Sequence, residues 1–530
     1  MTEVGIGIDL GSSSIRVSLY CYNDDMLLQT TCRPVPYYTN DNTNHQSWQY
    51  SQSTNEILER LDECFEELDI SAYNTKALGV GATCSMAVFE ADDVTPHKIF
   101  GTDSAKYPLN VVFWMDGTSS LECENLNKNA LPSYTKKCLG GKGFISEMGI
   151  PKLCHLLHGL NENDSLVVYD LHKYIAKKIC EKFEWSYEML KNIPNANGIG
   201  HDGELCGWTT NVYDYIMETT GKSFSIGPIA PLLPNNHKNI RVSSFIDCYA
   251  GWFATAPKLN HSMTMVAGTS TCYLYGSTKS EFHIDGIWGP FTNIFDQQDR
   301  IKVYQGGSSL TGQLLSHVLQ NHPYCLKNNY SNVVDIISLL EDYIVAYDGN
   351  DEKSLFQYES KKCFLYGDLQ GNRTPFADPD LKGVYIGETL DTSLKSLAIK
   401  YITTLEFLVF QTRMIIEKFP EIETLYVVGS QSKNTRLLTL LQISFPEISI
   451  YIAKDIESTE YIGPKGAYLA AKYGSKVIDV DRSNDFQKPQ LIPSYLETHA
   501  RKQIFNLMNK KYEIILDIIK NQQKYNAMMS

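Results

Sequence analysis

No run in the 530-residue sequence approaches the ~18 consecutive apolar residues of a membrane span, so no transmembrane helix is expected. The basic excess of a nucleic-acid binder is also missing. Lys and Arg total 47 against 61 Asp and Glu, a net charge of −14. An acidic chain can still hold anionic metabolites, but through local donors and a metal ion. No Cys-x-x-Cys pair occurs, and the 13 cysteines are odd in number and scattered. That pattern suits thiols in a reducing compartment and argues against a disulfide framework or a zinc site. The opening MTEVGIGIDL has no basic n-region, and no Arg/Ser-rich transit segment follows. A cytoplasmic location is expected, with a mitochondrial one left open. Low-complexity segments are lacking, and 43% hydrophobic with 20% charged residues excludes global disorder. The length exceeds one hydrophobic core and suits two to four domains.

The patterning reads as mixed α/β. Val4–Asp9 predicts a short buried strand, 11–14 a Gly/Ser turn, and Ile15–Tyr20 a second strand closing a hairpin. A third strand is expected over Leu28–Val35, and Gln52–Leu68 shows one apolar helical face. Strands follow at Ala77–Gly81, Met86–Glu90 and Val111–Trp114. A similar hairpin then recurs. Ser262–Ala267 and Cys272–Gly276 flank the polar turn 268–271, which suggests two related domains. Further on, helices are predicted over Thr311–Leu319 and Ser393–Phe419, and a strand over Leu425–Val428. An ordered loop is expected across Glu352–Asp380. A tail helix is expected from Thr498 to Met529, with Ile504, Leu507, Met508, Ile514, Ile515, Ile518 and Ile519 on its apolar side.

Asp9-Leu10-Gly11-Ser12-Ser13-Ser14 puts a carboxylate at a strand end before small hydroxyl residues. Such a turn can seat hydrated Mg²⁺ beside phosphate oxygens, with its N–H groups as an anion nest; an ordinary hairpin is the alternative. Gly268-Thr269-Ser270-Thr271 is a second turn of this kind. The segment Ser243–Trp252 carries one carboxylate, Asp247, in apolar surroundings. It reads as a general base, or as a helix N-cap or structural hydrogen bond. The loop 429–434 reads either as a nucleotide-base contact or as a plain turn before a helix. Three fragments lead nowhere. Gly221-Lys222-Ser223 lacks the first Walker glycine, since Ile216 stands there. Gly79-x-Gly81-x-x-Cys84 falls short of a dinucleotide fingerprint. His155-x-x-His158 has no further ligand cluster.

Together these segments resemble the FGGY family of carbohydrate kinases, ribulokinase-like branch, in order over nearly the whole chain. GIGIDLGSSSIRVSLY is similar to the family's first phosphate loop, and GVGATCSMAVFEADD and VVFWMDG to its sugar-side segments. SFIDCYAGW resembles the catalytic-Asp segment and MVAGTSTCYLY the second phosphate hairpin. GDLQGNRTPFADPDLKGVYIGETLDTS, VVGSQSKN and IGPKGAYLAA resemble later family segments. The resemblance implies an α/β fold of two RNase H-like domains of the actin-like ATPase superfold around a central cleft. The expected bounds are 1–258 and 259–490, with 491–530 as a C-terminal amphipathic helix.

The resemblance also implies ATP and Mg²⁺ as cofactors and transfer of the γ-phosphoryl group to a sugar or polyol, with a ketopentose such as D-ribulose as best match. Asp247 would be the base and Asp9 the metal carboxylate. Gly11, Ser12, Ser13, Ser14, Arg16, Gly268, Thr269, Ser270, Gly312, Gly429, Ser430 and Asn434 would bind ATP. Ala82, Trp114, Asp116 and Gln305 would face the sugar. No nucleic-acid or membrane partner is implied, and a homodimer is left open. Three departures fall on the sugar side. Thr118 stands in place of an arginine, Gln305 in place of a glutamate, and no lysine matches near Asn197–Gly207. They imply a changed acceptor or, alternatively, an impaired regulatory or nucleotide-binding protein.

Overall fold

The computed structural model describes residues 1–40, 49–128, 133–162, 164–189, 210–227, 239–280, 282–291, 301–350, 355–455 and 459–529. It divides into two compact units. The first comprises Met1–Asn260, Leu274–Gln305 and Asp455–Asp485, and the second His261–Tyr273, Gly306–Lys454 and Phe486–Ser530.

The first unit is built on a six-stranded sheet in which Glu3–Leu10 is central. On one side it pairs antiparallel with Ser14–Cys21, which pairs antiparallel with Leu27–Pro34. On the other side it pairs parallel with Asn74–Ala82, which pairs parallel with Asn239–Ile246. The two central strands alternate bulky and bare positions: Gly5, Ile6, Gly7, Ile8 on one, Leu78, Gly79, Val80, Gly81 on the other. Because successive side chains point to opposite faces, the sheet has one aliphatic face and one glycine face. Ile6, Ile8, Leu78 and Val80 pack in one core with Ile57, Leu61, Cys64 and Phe65. The last four lie on the helix Thr54–Glu67. Each such burial stabilises by roughly 1.5–3 kcal/mol.

The glycine face admits a second helix, Ile462–Tyr473, at backbone contact. A Cβ on Gly7 would lie 1.9 Å from the Pro464 carbonyl oxygen, and one on Gly79 1.9 Å from that of Ala467. The C-terminal end of this helix is tied to the turn after Ser14–Cys21, because Tyr473 Oη and Lys472 Nζ both donate to Asp25. A second sheet in this unit contains Met86–Glu90 and Leu166–Asp170, paired antiparallel.

In the second unit Ser262–Ala267 pairs parallel with Thr424–Val428, which pairs parallel with Ser449–Ala453. The helix Leu394–Ile416 is buried along most of its length, and its Ser393 cap accepts from Ser396 N. The C-terminal helix runs Thr498–Met529, the span expected from sequence. Its buried stripe is Ile504, Met508, Lys511, Tyr512, Ile515 and Ile519. Ile514, expected on the apolar side, is 38% exposed, because it falls off the i, i+4, i+7/8, i+11 stripe. The region expected as an ordered loop holds a 3₁₀ turn, Phe356–Ser360, and one strand, Phe364–Tyr366, of a two-stranded ribbon with Val384–Ile386. The expected strand Val111–Trp114 stops at Val112, where a turn begins with Asp116 N donating to the Phe113 carbonyl. Among the described residues no helix is long and apolar enough to cross a membrane, and no disulfide is formed.

Candidate active site

Three parallel strands of the first unit end side by side. Leu10 is paired with Ala82, and Ala82 with Ile246. Carboxyl ends of parallel strands are where open α/β sheets bind ligands. Asp9 precedes Leu10, and Asp247 follows Ile246, so the two carboxylates reach the same edge. Gly81 separates them with bare backbone, its Cβ position 3.6 Å from Asp247 Cα. Asp247 opens the helix Asp247–Ala254 and is half-buried, while every later residue of that helix is buried. The N-cap is Ile246, so the N-cap reading of Asp247 does not hold.

Asp9 is enclosed more tightly. Its carboxyl is 3.6 Å from Arg16 Nη1, with 14% of the side chain exposed. The N-terminal turn of the helix Ile462–Tyr473 presses on it, since a Cβ on Gly463 would lie 2.5 Å from Asp9 Cγ. Burial pushes the Asp9 carboxyl above its ordinary range, and Arg16 only partly opposes this. The adjoining turn is closed by Gly11 N donating to the Ser14 carbonyl, and Val35 N donates to the Ser13 carbonyl. Ser12 is half-buried, Ser13 exposed and Ser14 half-buried. The Ser12 hydroxyl accepts a hydrogen bond from Trp114 Nε1 at 3.1 Å.

Trp114 is held at three points. Besides that bond, its backbone N donates to Ser85 Oγ at 3.0 Å, and its carbonyl accepts from Lys152 Nζ at 2.8 Å. Lys152 is buried and also donates to the Phe113 carbonyl. Asp116 is buried, and its oxygens accept from Tyr50 N, Thr118 N and Thr118 Oγ1. Thr118 therefore folds back on Asp116 and extends no cation. Ala82 is buried at its strand end, and Gln305 is buried opposite Trp288.

A cavity of about 370 Å³, counting its solvent-open part, is lined by Thr83, Ser85, Lys152, Asp170, His172 and Ile246 among others. Lys152, Ser85 and the buried Asp170–Lys173 ion pair escaped the sequence reading. The available signal was a lysine amid Ile150, Leu153, Cys154 and Leu157 on an otherwise apolar helix face. His155 and His158 both direct Nδ1 at Glu122 Oε1. Among the described residues no cluster of three His, Cys, Asp or Glu could hold a metal ion.

The second unit gathers the remaining loops. The 268–271 turn lies on the start of the helix Gly312–Gln320: Thr311 N and Gly312 N donate to the carbonyls of Thr269 and Gly268. Thr271 and Thr311 share a hydroxyl–hydroxyl bond of 2.7 Å. Gly429, at φ +88, leaves no room for a side chain, since a Cβ would lie 2.5 Å from the Ala267 carbonyl oxygen. Gln431 Nε2 reaches within 3.4 Å of the Gly312 Cβ position. Gly268, Thr269, Ser270, Gly312 and Gly429 thus form one cluster, with Ser430 exposed beside it.

Asn434 is the N-cap of the helix Thr435–Ser444. Its Oδ1 accepts from Leu437 N, and its Nδ2 donates to Tyr401 Oη. Its side chain therefore serves the turn before the helix. The GDLQGNRTP segment acts as a clamp. Thr374 Oγ1 both accepts from Gly307 N and donates to its carbonyl, and Gln411 bridges Ser308 and Asp368. The Asn197–Gly207 stretch lies outside the described residues.

Residues 263–459 match the FGGY family of carbohydrate kinases, C-terminal domain. The whole chain is similar to Protein MPA43 of Saccharomyces cerevisiae, 40% identical over 99% of this chain and 98% of that one. The chain belongs to the FGGY family of carbohydrate kinases. Two further relatives match at lower identity. A D-ribulokinase of Saccharomyces cerevisiae, YDR109C, is 26% identical over 91% of this chain and 72% of its own length. A ribulokinase of Staphylococcus aureus is 24% identical, covering 97% and 96%. Among solved structures, a gluconate kinase from Lactobacillus acidophilus aligns with a TM-score of 0.67 at 13% identity, covering 99% of this chain and 100% of that one. A Plasmodium falciparum glycerol kinase with ADP aligns with a TM-score of 0.66 at 14% identity, covering 97% and 98%. The fold is that of the FGGY sugar kinases, the actin-like ATPase superfold expected from sequence.

Proposed function

We propose that this carbohydrate kinase transfers the γ-phosphoryl group of ATP to a hydroxyl of a ketopentose, with D-ribulose as the first acceptor to test. The observation that carries the reading is the pair Asp9 and Asp247 at the ends of the two strands that flank Asn74–Ala82, beside a hydroxyl-bearing turn. The two relatives named as ribulokinases support the choice of acceptor. Asp247 takes the proton of the acceptor hydroxyl, whose oxygen then bonds to the γ-phosphorus. The bond from that phosphorus to the β,γ-bridging oxygen breaks, and ADP carries away the electron pair.

Asp9 fits a hydrated Mg²⁺. It is a single carboxylate whose burial disfavours an unaccompanied charge, and no acidic cluster surrounds it among the described residues. When bound, that ion would neutralise charge on the phosphate oxygens. In the first unit Gly11, Ser12, Ser13, Ser14 and Arg16 would serve the phosphates. Ala82, Trp114, Asp116 and Gln305 would serve the acceptor. In the second unit Gly268, Thr269, Ser270 and Gly312 would serve the phosphates, and Gly429 and Ser430 the nucleoside, while Asn434 caps the following helix.

The fold-back of Thr118 onto Asp116 favours a changed acceptor, because the sugar side is altered there without loss of hydrogen bonding. An impaired, nucleotide-binding protein is the alternative. ADP release from MgATP across ketopentoses, aldoses, sugar acids and polyols decides between them. A ketopentose-dependent rate supports the proposal. No acceptor-dependent rate, with nucleotide still raising the melting temperature, favours the alternative.

A further inference from the structure

We propose that Trp114 is a positioning residue that fixes the polarity of the Ser12 hydroxyl, so that Ser12 presents its proton to a phosphate oxygen. The inference rests on the assignment of the 11–14 turn to phosphates. A serine hydroxyl can donate or accept, and its hydrogen rotates to suit its neighbours. An indole N–H can only donate. Trp114 Nε1, 3.1 Å from Ser12 Oγ, therefore occupies a lone pair of that oxygen and cannot receive its proton. The Ser12 hydrogen must turn away from the indole. Ser12 is half-buried in the turn that follows Asp9, so an anion there meets a hydroxyl already set to donate.

The indole can impose this because it is itself immobilised. Ser85 Oγ accepts from the Trp114 backbone N, and Lys152 Nζ donates to its carbonyl. Trp114 is 8% exposed and packs in a cluster with Tyr50, Phe113 and Met115. A rigid donor holds one geometry with little entropy left to lose, and so pre-organises its partner. One side chain then serves two ligands. A change on the acceptor wall that moves Trp114 alters phosphate affinity as well.

The test measures affinity for the magnesium complex of the β,γ-imido analogue of ATP, and for adenosine, by calorimetry. The proteins are wild type, Trp114→Phe, Ser12→Ala, the double variant and Ser12→Thr. Trp114→Phe keeps the aromatic packing and removes the donor. We expect it to weaken imido-ATP about tenfold, as for a hydrogen bond to a charged group, while adenosine affinity and melting temperature hold. Ser12→Ala should cost a similar factor, and Ser12→Thr little. The double variant should be no weaker than Ser12→Ala, because both changes remove one unit. Losses that multiply, unchanged imido-ATP affinity in Trp114→Phe, or adenosine weakened in step would each overturn the inference. Should Trp114→Phe fail to fold, Ser85→Ala loosens the same tryptophan with both partners present, and unchanged imido-ATP affinity there overturns it. A wild type that binds adenosine but not imido-ATP removes the phosphate assignment, and this inference with it. A wild type that binds imido-ATP but shows no coupling removes this inference alone.

Discussion

Gly463→Ala tests whether the helix Ile462–Tyr473 sets the Asp9 carboxylate in place. The new Cβ would lie 2.5 Å from Asp9 Cγ, 2.6 Å from Oδ2 and 2.9 Å from Oδ1, where ordinary contact begins at 3.4 Å. The carboxyl must therefore retreat by roughly 1 Å, either by rotating or by shifting its strand. Two costs of different size follow. Overpacking costs about 1–3 kcal/mol, and alanine's helix preference over glycine returns up to ~1 kcal/mol. The net loss of about 0–3 kcal/mol lowers the melting temperature by several degrees at most. Positioning is more sensitive, since a misplacement of ~1 Å in a reacting constellation costs about 10²-fold. The variant should stay folded, lose about two orders of magnitude in acceptor-dependent ADP release, and require more Mg²⁺. Wild-type turnover with an unchanged Mg²⁺ requirement would refute the reasoning.

Gly466→Ala should be more disruptive to folding than Gly463→Ala, because its Cβ would lie 1.7 Å from the Ala250 carbonyl oxygen, and backbone yields less readily than a side chain. A melting temperature above that of Gly463→Ala would contradict this. Lys511→Met breaks a buried ion pair with Glu406 and should cost about 3–5 kcal/mol. Burial already raises the Glu406 carboxyl, so in the variant stability should fall as pH rises from the ordinary carboxylate range through the raised value. Urea unfolding at pH 5 and pH 8 checks this, and an equal loss at both contradicts it. Asp9→Asn follows the same sign. A raised carboxyl disfavours the charged form in the fold, so near pH 7 without Mg²⁺ the variant should melt at or above wild type while losing turnover. A clearly lower melting temperature counts against it.

Much of the fold was legible because it obeys local periodicity. The strands Met86–Glu90 and Ser262–Ala267 and the helix Thr498–Met529 have the bounds their patterns suggest. Legibility failed where non-local contact decides. Gly79-x-Gly81 looked like a failed nucleotide fingerprint, yet Gly79 is bare because a helix nearly 390 residues later lays Ala467 against it. Lys511 is absent from the apolar side expected of its helix, yet it is buried, because its ammonium pairs with Glu406 and donates to Ser360. In the candidate site the residues proposed to carry the chemistry were readable, since carboxylates and glycines at strand ends are conspicuous. Their supports were not. Lys152 and Ser85 reach Trp114 through the backbone, and such bonds leave no trace in residue type. Asn434 shows the reverse case, a polar residue whose side chain the helix cap and Tyr401 engage.

Turnover of Asp247→Asn, measured beside nucleotide affinity and melting temperature, bears most directly on the claim that the strand-end carboxylates carry phosphoryl transfer to a sugar. The substitution keeps size and a hydrogen-bonding oxygen and removes the base. Acceptor-dependent ADP release should fall by about 10²–10⁴-fold, with MgATP affinity and melting temperature near wild type. A stable Asp247→Asn protein that phosphorylates its acceptor at the wild-type rate would contradict the account.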